Sequence, residues 1–164
     1  MRLAEYTDYT LRVLMYCAAR PQQLVTIGEL AEVHGVSKNH LMKIVNDLAR
    51  QGMLETARGR GGGSRLMKDA SDIRVGDVVR AAETDFRLVE CFDPETNQCT
   101  LSSSCRLKGL LDGALKAYFK ALDSMTLAEL VAPVGPRASS GASLSQVAVP
   151  VSRGLLSPAG PNTL

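Results

Sequence analysis

The chain has 164 residues, 45% of them hydrophobic, and a formal net charge of +2. That length carries one ordinary core with room for a tail, and no apolar run approaches the ~20 residues of a membrane span, so a membrane partner is not expected. The small net charge conceals a division: residues 1–68 hold ten Lys and Arg against six Asp and Glu, whereas residues 69–130 hold seven against eleven. A basic front half points towards a polyanion partner, although a solvated charged face has the same composition. The opening MRLAEYTDYT is polar and charged and lacks the apolar run of a secretory signal, so the expected compartment is cytoplasmic.

Residues 3–19 read as a helix, with Leu3, Thr7, Leu11, Leu14 and Ala18 along one face. Asp8 and Arg12 fall together elsewhere on it, spaced for an i,i+4 ion pair. Pro21 ends the helix. Thr26-Ile-Gly-Glu29 has the pattern of a capping box and opens a short helix that buries Ile27, Leu30 and Ala31 and stops at Gly35. Ser37 caps the next, SKNHLMKIVNDLARQG, whose buried stripe is Leu41, Ile44, Val45 and Leu48, with Gly52 beyond its end.

Two helices joined at His34-Gly35-Val36 match a helix-turn-helix over about residues 26–51, in which the second helix enters the major groove with its N-terminal residues. Those residues are Ser37, Lys38, Asn39, His40 and Lys43, all able to bond to phosphates or base edges. Any amphipathic surface helix has a polar face, but the next segment adds weight. Residues 53–67 form a strand, a Gly59-Arg60-Gly61-Gly62-Gly63-Ser64 tip and a return strand, the layout of a wing. Arg58, Arg60 and Arg65 are placed to reach phosphates or a narrow minor groove. The tract is no P-loop, because no GK[ST] follows its glycines.

Ser71-Asp72-Ile73 is expected to cap a helix that turns Val75, Val78, Val79 and Ala82 inward. Beyond residue 105, RLKGLLDGALKAYFKALDSM is helical. Leu107, Leu111, Leu115, Tyr118 and Leu122 share one side, with Leu110, Ala114 and Phe119 beside it. So wide an apolar band suits a dimer seam over residues 104–123, the alternative being that it packs on its own domain. Thr126-Leu-Ala-Glu129 has a second capping-box pattern. Residues 131–164 are rich in Pro, Ala, Ser and Gly with almost no charge, and read as a flexible tail.

Three of the four cysteines, Cys91, Cys99 and Cys105, lie in CFDPETNQCTLSSSC, a stretch of turn formers without helical or strand period. Thiolates converging from such a loop suit a soft metal or an iron–sulfur cluster. Incidental surface cysteines are one alternative, though exposed thiols are a redox liability. Disulfides are another, rare in the expected compartment. Zinc is a third: it is often held by tight C-x2-C pairs, and the open C-x7-C-x5-C spacing suits a cluster better without excluding it. Cys17, among Leu14, Met15, Tyr16 and Ala18, reads as a buried helix residue. No nucleophile–base pair or paired carboxylates support hydrolytic chemistry, and no enzyme activity is expected.

Together LAEYTDYTLRVLMYCA, TIGELAEVHGVSKNHLMKIVNDLARQG, RGRGGGSRL and the three-cysteine loop resemble the nitric-oxide-sensitive repressor family NsrR, within the winged-helix superfamily that includes IscR. The resemblance covers residues 1 to about 130. It implies a mainly α fold: a winged helix-turn-helix over residues 1–68, then a cysteine loop and dimerisation helix over 69–130. It further implies a homodimeric repressor of double-stranded operator DNA whose signal is nitric oxide. Its cluster, 4Fe–4S ahead of 2Fe–2S, would be held by Cys91, Cys99 and Cys105. Nitrosylation or loss of the cluster would end operator binding and release genes of nitric-oxide detoxification. In IscR a histidine three residues after the last cysteine completes the ligands; here Lys108 stands there. In nitric-oxide-sensing members an aspartate of the first helix can serve, reaching across from the partner subunit, and Asp8 is at the matching position. Glu90, Asp93 and Glu95 stay open as alternatives. A zinc- or thiol-based redox regulator of the same fold is the second reading of the whole chain. A small iron–sulfur redox protein is a third, but it leaves the wing pattern without a purpose.

Overall fold

The computed structural model describes residues 2–101 and 104–133, within a unit that ends at Pro133. Its elements are α1 (Glu5–Ala18), α2 (Ile27–His34), α3 (Lys38–Arg50), β1 (Leu54–Ala57), β2 (Gly63–Leu66), α4 (Val75–Ala82), α5 (Arg106–Asp123) and α6 (Leu127–Val131). This is the mainly α architecture expected, a winged helix-turn-helix followed by a long C-terminal helix. Val131, read in the sequence as the start of a flexible tail, closes α6 instead; the rest of that expected tail, residues 134–164, lies outside the described residues.

Helix α1 is the centre of the front half, packed against α3, α4, α6 and β2. Its buried face is Thr7, Thr10, Val13, Leu14 and Cys17. That face is turned from the expected Leu3–Thr7–Leu11–Leu14–Ala18 stripe, because two threonines are buried with their hydroxyls satisfied. Thr10 Oγ1 donates to the Tyr6 carbonyl at 2.7 Å. Thr7 Oγ1 and the Ala4 N–H both donate to Glu83 Oε2, at 2.7 and 3.1 Å. A carboxylate from the end of α4 thus serves the N-terminus of α1, which has no side-chain cap of its own.

In α2 the Thr26 hydroxyl accepts from the Glu29 N–H, but the expected box is only half made. The Glu29 carboxylate is taken instead by the Tyr16 hydroxyl, which donates to it at 2.7 Å and ties α2 to α1. Gly35 ends α2 in the left-handed conformation, φ 64°. Ser37 caps α3 by accepting from the His40 N–H, and Leu41, Ile44, Val45 and Leu48 are its buried stripe, as expected. With Val13, Leu14, Leu30 and Leu54 these fill one core, each side chain contributing roughly 1.5–3 kcal/mol on burial.

The wing pairs Leu54 with Leu66 through Ala57 with Gly63, antiparallel. It is anchored by Val25, which exchanges both backbone hydrogen bonds with Ser64 at 2.8 and 2.9 Å. A side chain at Gly63 would begin 2.8 Å from the Val25 carbonyl oxygen, so this approach needs glycine. Ser71 does not cap α4. It lies in a 3-10 turn, Ala70–Asp72, where Asp69 accepts from the Ser71 N–H at 2.8 Å. The following Ile73 and Arg74 run extended, bridging to the Met125–Leu127 backbone, and α4 starts from Arg74 without a side-chain cap. The Thr126–Glu129 capping box is complete.

Candidate nucleic-acid interface and cysteine loop

The front half offers a cationic face built on rigid elements. Lys38 and Asn39 stand exposed in the first turn of α3, and Lys43 one turn on. Arg58 and Arg60 flank the wing tip. Among the described residues none of Lys38, Lys43, Arg58 and Arg60 is in an ion pair, so their charge is available to phosphates. The remaining predicted contacts are partly engaged in the fold. Ser37 holds the α3 cap, and Arg65 pairs across the wing with Glu55. His40 is half-buried, its ring edge-on to Tyr9 at 5.6 Å between centroids.

Tyr9 belongs to a link that reading the sequence missed. Tyr6 on α1 donates to Asp47 Oδ2 of α3 at 2.5 Å, and Lys43 Nζ lies 5.9 Å from the Tyr6 ring centre. Burial and the Asp47 bond push the Tyr6 phenol up to about 12. Asp8 sits between these two tyrosines on α1, its carboxylate 2.7 Å from the Arg12 guanidinium. The expected i,i+4 pair is therefore present, and Asp8 lies one residue from a side chain touching the recognition helix. The signal was available as the aromatic pair flanking Asp8 in EYTDYT.

The cysteine loop follows Arg80 and Glu83. Cys91 lies in a 3-10 turn, Glu90–Phe92, and Cys105 is the N-cap of α5, at the electropositive end of an 18-residue helix. All three loop cysteines are half-buried and none of the four is in a disulfide. Between them the backbone is held by short-range polar turns. Asp93 accepts from the Glu95 N–H at 3.0 Å and Thr96 Oγ1 at 2.9 Å, and pairs with Arg87. These bonds, led by the Glu95 N–H, hold its carboxyl below the usual range. Asn97 Oδ1 accepts from the Cys99 N–H at 3.0 Å. Ser102 and Ser103 lie outside the described residues.

Cys91 opens onto a cleft of about 540 Å³ whose far wall is α5, through Lys108, Asp112 and Leu115. Among the described residues of one subunit no three His, Cys, Asp or Glu side chains converge as a metal site, so Cys91, Cys99, Cys105 and Asp8 are not brought together there. The donor set itself fits a cluster: three reduced, half-buried thiols on irregular backbone, with Asp93 spent on the loop's own turns. Cys17 is different. It is buried under α1, and burial, with the Glu29 charge next, pushes its thiol up to about 12, which makes it an inert core residue.

Helix α5 has no buried residue at all. Leu107 and Leu110 are 57% and 69% exposed. At its C-terminal end it meets α4, where Arg80 makes a two-pronged bond to Asp123 at 2.8 and 2.6 Å and lies over the Phe119 ring.

The chain matches the family model Rrf2, described as an iron-dependent transcriptional regulator, over residues 3–133. It is 52% identical over 132 residues to the HTH-type transcriptional regulator NsrR of Bacillus subtilis, covering 80% of this chain and 90% of that one. It is 45% identical over 131 residues to the protein aau3 of Rhizobium meliloti, covering 80% and 85%. Among solved structures, the oxidized form of Staphylococcus aureus CymR superposes with a TM-score of 0.66 at 25% identity, over 83% of this chain and all of that one. IscR of T. potens superposes with a TM-score of 0.64 at 23% identity, over 80% and 86%.

Proposed function

The chain belongs to the Rrf2 family of transcriptional regulators, and we propose that it is a nitric-oxide-responsive repressor whose operator binding is controlled by an iron–sulfur cluster. The observation that carries this reading is the coexistence of a cationic winged helix with three reduced, half-buried cysteines immediately before an uncovered helix. Cys91, Cys99 and Cys105 would hold the cluster, 4Fe–4S ahead of 2Fe–2S, with Asp8 of the second subunit as the fourth donor. When bound, such a group supplies an iron with one exchangeable oxygen ligand that a small diatomic can reach.

The remaining steps belong to the chain's own residues. Lys38, Lys43, Arg58 and Arg60 neutralise phosphates and fix the register, while Asn39 is free to read a base edge. A second copy seated on α5 sets the separation of the two recognition helices, as operator half-sites require. Asp8 gives the coupling a physical route. Tyr6 and Tyr9, on either side of it, bear on Asp47 and His40 of α3, so a tether on Asp8 constrains α1 and through it α3. Two positions of one packed helix make a bistable element that a signal can bias.

A second reading, a thiol-based regulator of the same fold, draws on the half-buried thiols of the cysteine loop and on the oxidized form of CymR among the structural neighbours. Protein purified without oxygen separates the two. Iron, sulfide and visible absorption are expected in the wild type and in Cys17→Ala, and are expected to be lost in Cys91→Ala, Cys99→Ala and Cys105→Ala. Asp8→Ala is expected to keep its iron, with a shifted spectrum and weaker operator binding. Colourless wild type, or full iron in Cys99→Ala, rejects the cluster assignment.

A further inference from the structure

The exposed residues of α3 are Lys38, Asn39, Met42, Lys43, Asn46 and Arg50. From Asn39, the positions of Met42, Lys43 and Asn46 are i+3, i+4 and i+7, one continuous stripe opposite the buried Leu41, Ile44, Val45 and Leu48. Two members of that stripe have no use within the fold. Met42 is 45% exposed on an otherwise polar face. The Asn46 amide makes no hydrogen bond among the described residues.

Both line a groove of about 290 Å³ between α3 and the wing, with Thr56, Arg58 and Gly59 on the opposite wall. No acidic residue lines it, and Glu55, the nearest acid in the wing, is held by Arg65. Arg58 itself lines it, with Arg60 exposed further along the wing and Lys38 and Lys43 exposed elsewhere on α3. The groove is therefore suited to a polyanion, and its two unused side chains offer one amide and one apolar thioether. In the major groove an adenine edge presents an N7 acceptor beside an N6 donor, and its thymine partner a C5-methyl. Met42 and Asn46 are one turn apart, about 6 Å of rise, a little under two base-pair steps of about 3.4 Å, a span that the two flexible side chains can close onto one A·T pair.

We infer that Asn46 and Met42 form a base-reading pair selecting A·T within each operator half-site. Asn46 Oδ1 accepts from the adenine N6 amine, Nδ2 donates to N7, and the Met42 thioether packs on a thymine methyl. This rests on the operator-binding reading above and adds the base chemistry it recognises.

The test is selection from a duplex library with a randomised half-site, using cluster-loaded dimer prepared without oxygen, followed by affinities on the selected duplex and its single-base variants. The wild type is expected to enrich A·T at one step per half-site and to bind it roughly 5- to 150-fold better than the G·C variant, the discrimination of one bidentate contact. Asn46→Ala is expected to lose that preference at that step alone, with unchanged affinity for random duplex and an unchanged salt slope. Uracil in place of thymine there removes only the methyl. It is expected to weaken the wild type a few-fold and leave Met42→Ala indifferent. An Asn46→Ala protein with the wild type's preferences at every position overturns the inference, as does an equal loss on all duplexes. A wild type that enriches no sequence overturns the operator-binding reading and this inference with it.

Discussion

The winged helix and the cysteine-loop region differ in how far each is completed by its own residues. In the front half every helix has a face at the core: Leu14, Leu30, Leu41, Ile44 and Leu54 are fully enclosed, and even the buried Thr7 and Thr10 have partners. Residues 85–123 reverse this, with α5 wholly without buried residues and three thiols reduced and half-buried. A segment that orders 18 helical residues yet buries none leaves its apolar band open among the described residues, and in the proposed dimer a second copy covers it. One half completes its own core; the other leaves apolar surface and thiols open, and there the proposed signal would act at little cost to the fold.

The sharpest way to break this contrast is to truncate leucines in each half. Leu41→Ala removes a fully enclosed side chain and is expected to cost about 2–5 kcal/mol of unfolding free energy. Leu110→Ala, measured at dilutions where the subunits are apart, is expected to cost less than about 0.5 kcal/mol. Equal losses in denaturant unfolding would mean that α5 packs on its own domain after all.

Next in size is the dimer seam. Leu111→Glu combined with Leu115→Glu places two charges at half-buried positions of the α5 apolar band and is expected to give monomers by sedimentation. Operator affinity should fall at least tenfold, about 1.4 kcal/mol, because half-site spacing is then no longer enforced. A dimer that persists puts the seam elsewhere.

These differences also explain what was legible in the sequence. The α3 stripe and its Ser37 cap could be read directly because local period and tertiary burial agree there. The face of α1 could not: Thr7 and Thr10 look polar until Glu83, 76 residues away from Thr7, is in place. Glu29 had two partners within reach, and the tertiary one, Tyr16, won over the local cap. Ser71 was misplaced because Asp69 turns the backbone one step earlier. In the candidate site the three cysteines stood out by composition, whereas the proposed gathering with Asp8 would need a second subunit, which no local pattern encodes. Nothing in the local sequence marks Met42 and Asn46, because the groove they line exists only once the wing is folded against α3.

The α1–α3 link sharpens the comparison at the smallest scale. Tyr6→Phe removes one hydrogen bond to Asp47 and is expected to cost about 0.5–1.5 kcal/mol. It should also change the alkaline response. The folded Tyr6 pKa, about 12, lies above its ordinary value of 10.0, so the unfolded chain releases this proton first. The Tyr6 contribution is full below pH 10 and is lost as pH rises from there towards 12. The wild type's stability should fall across that window more steeply than that of Tyr6→Phe; parallel curves would show that the bond does not bias the folded state.

In the proposed switch the cysteine-loop half governs DNA binding, and operator affinity before and after nitric oxide reads this out. The measurement is fluorescence anisotropy of labelled operator duplex with cluster-loaded protein in oxygen-free buffer, repeated after stoichiometric nitric oxide and with Cys99→Ala. The account predicts tight, salt-sensitive binding by the loaded dimer, at least tenfold weaker binding after nitric oxide, and weak binding by Cys99→Ala throughout. Operator affinity that is the same in all three would contradict it.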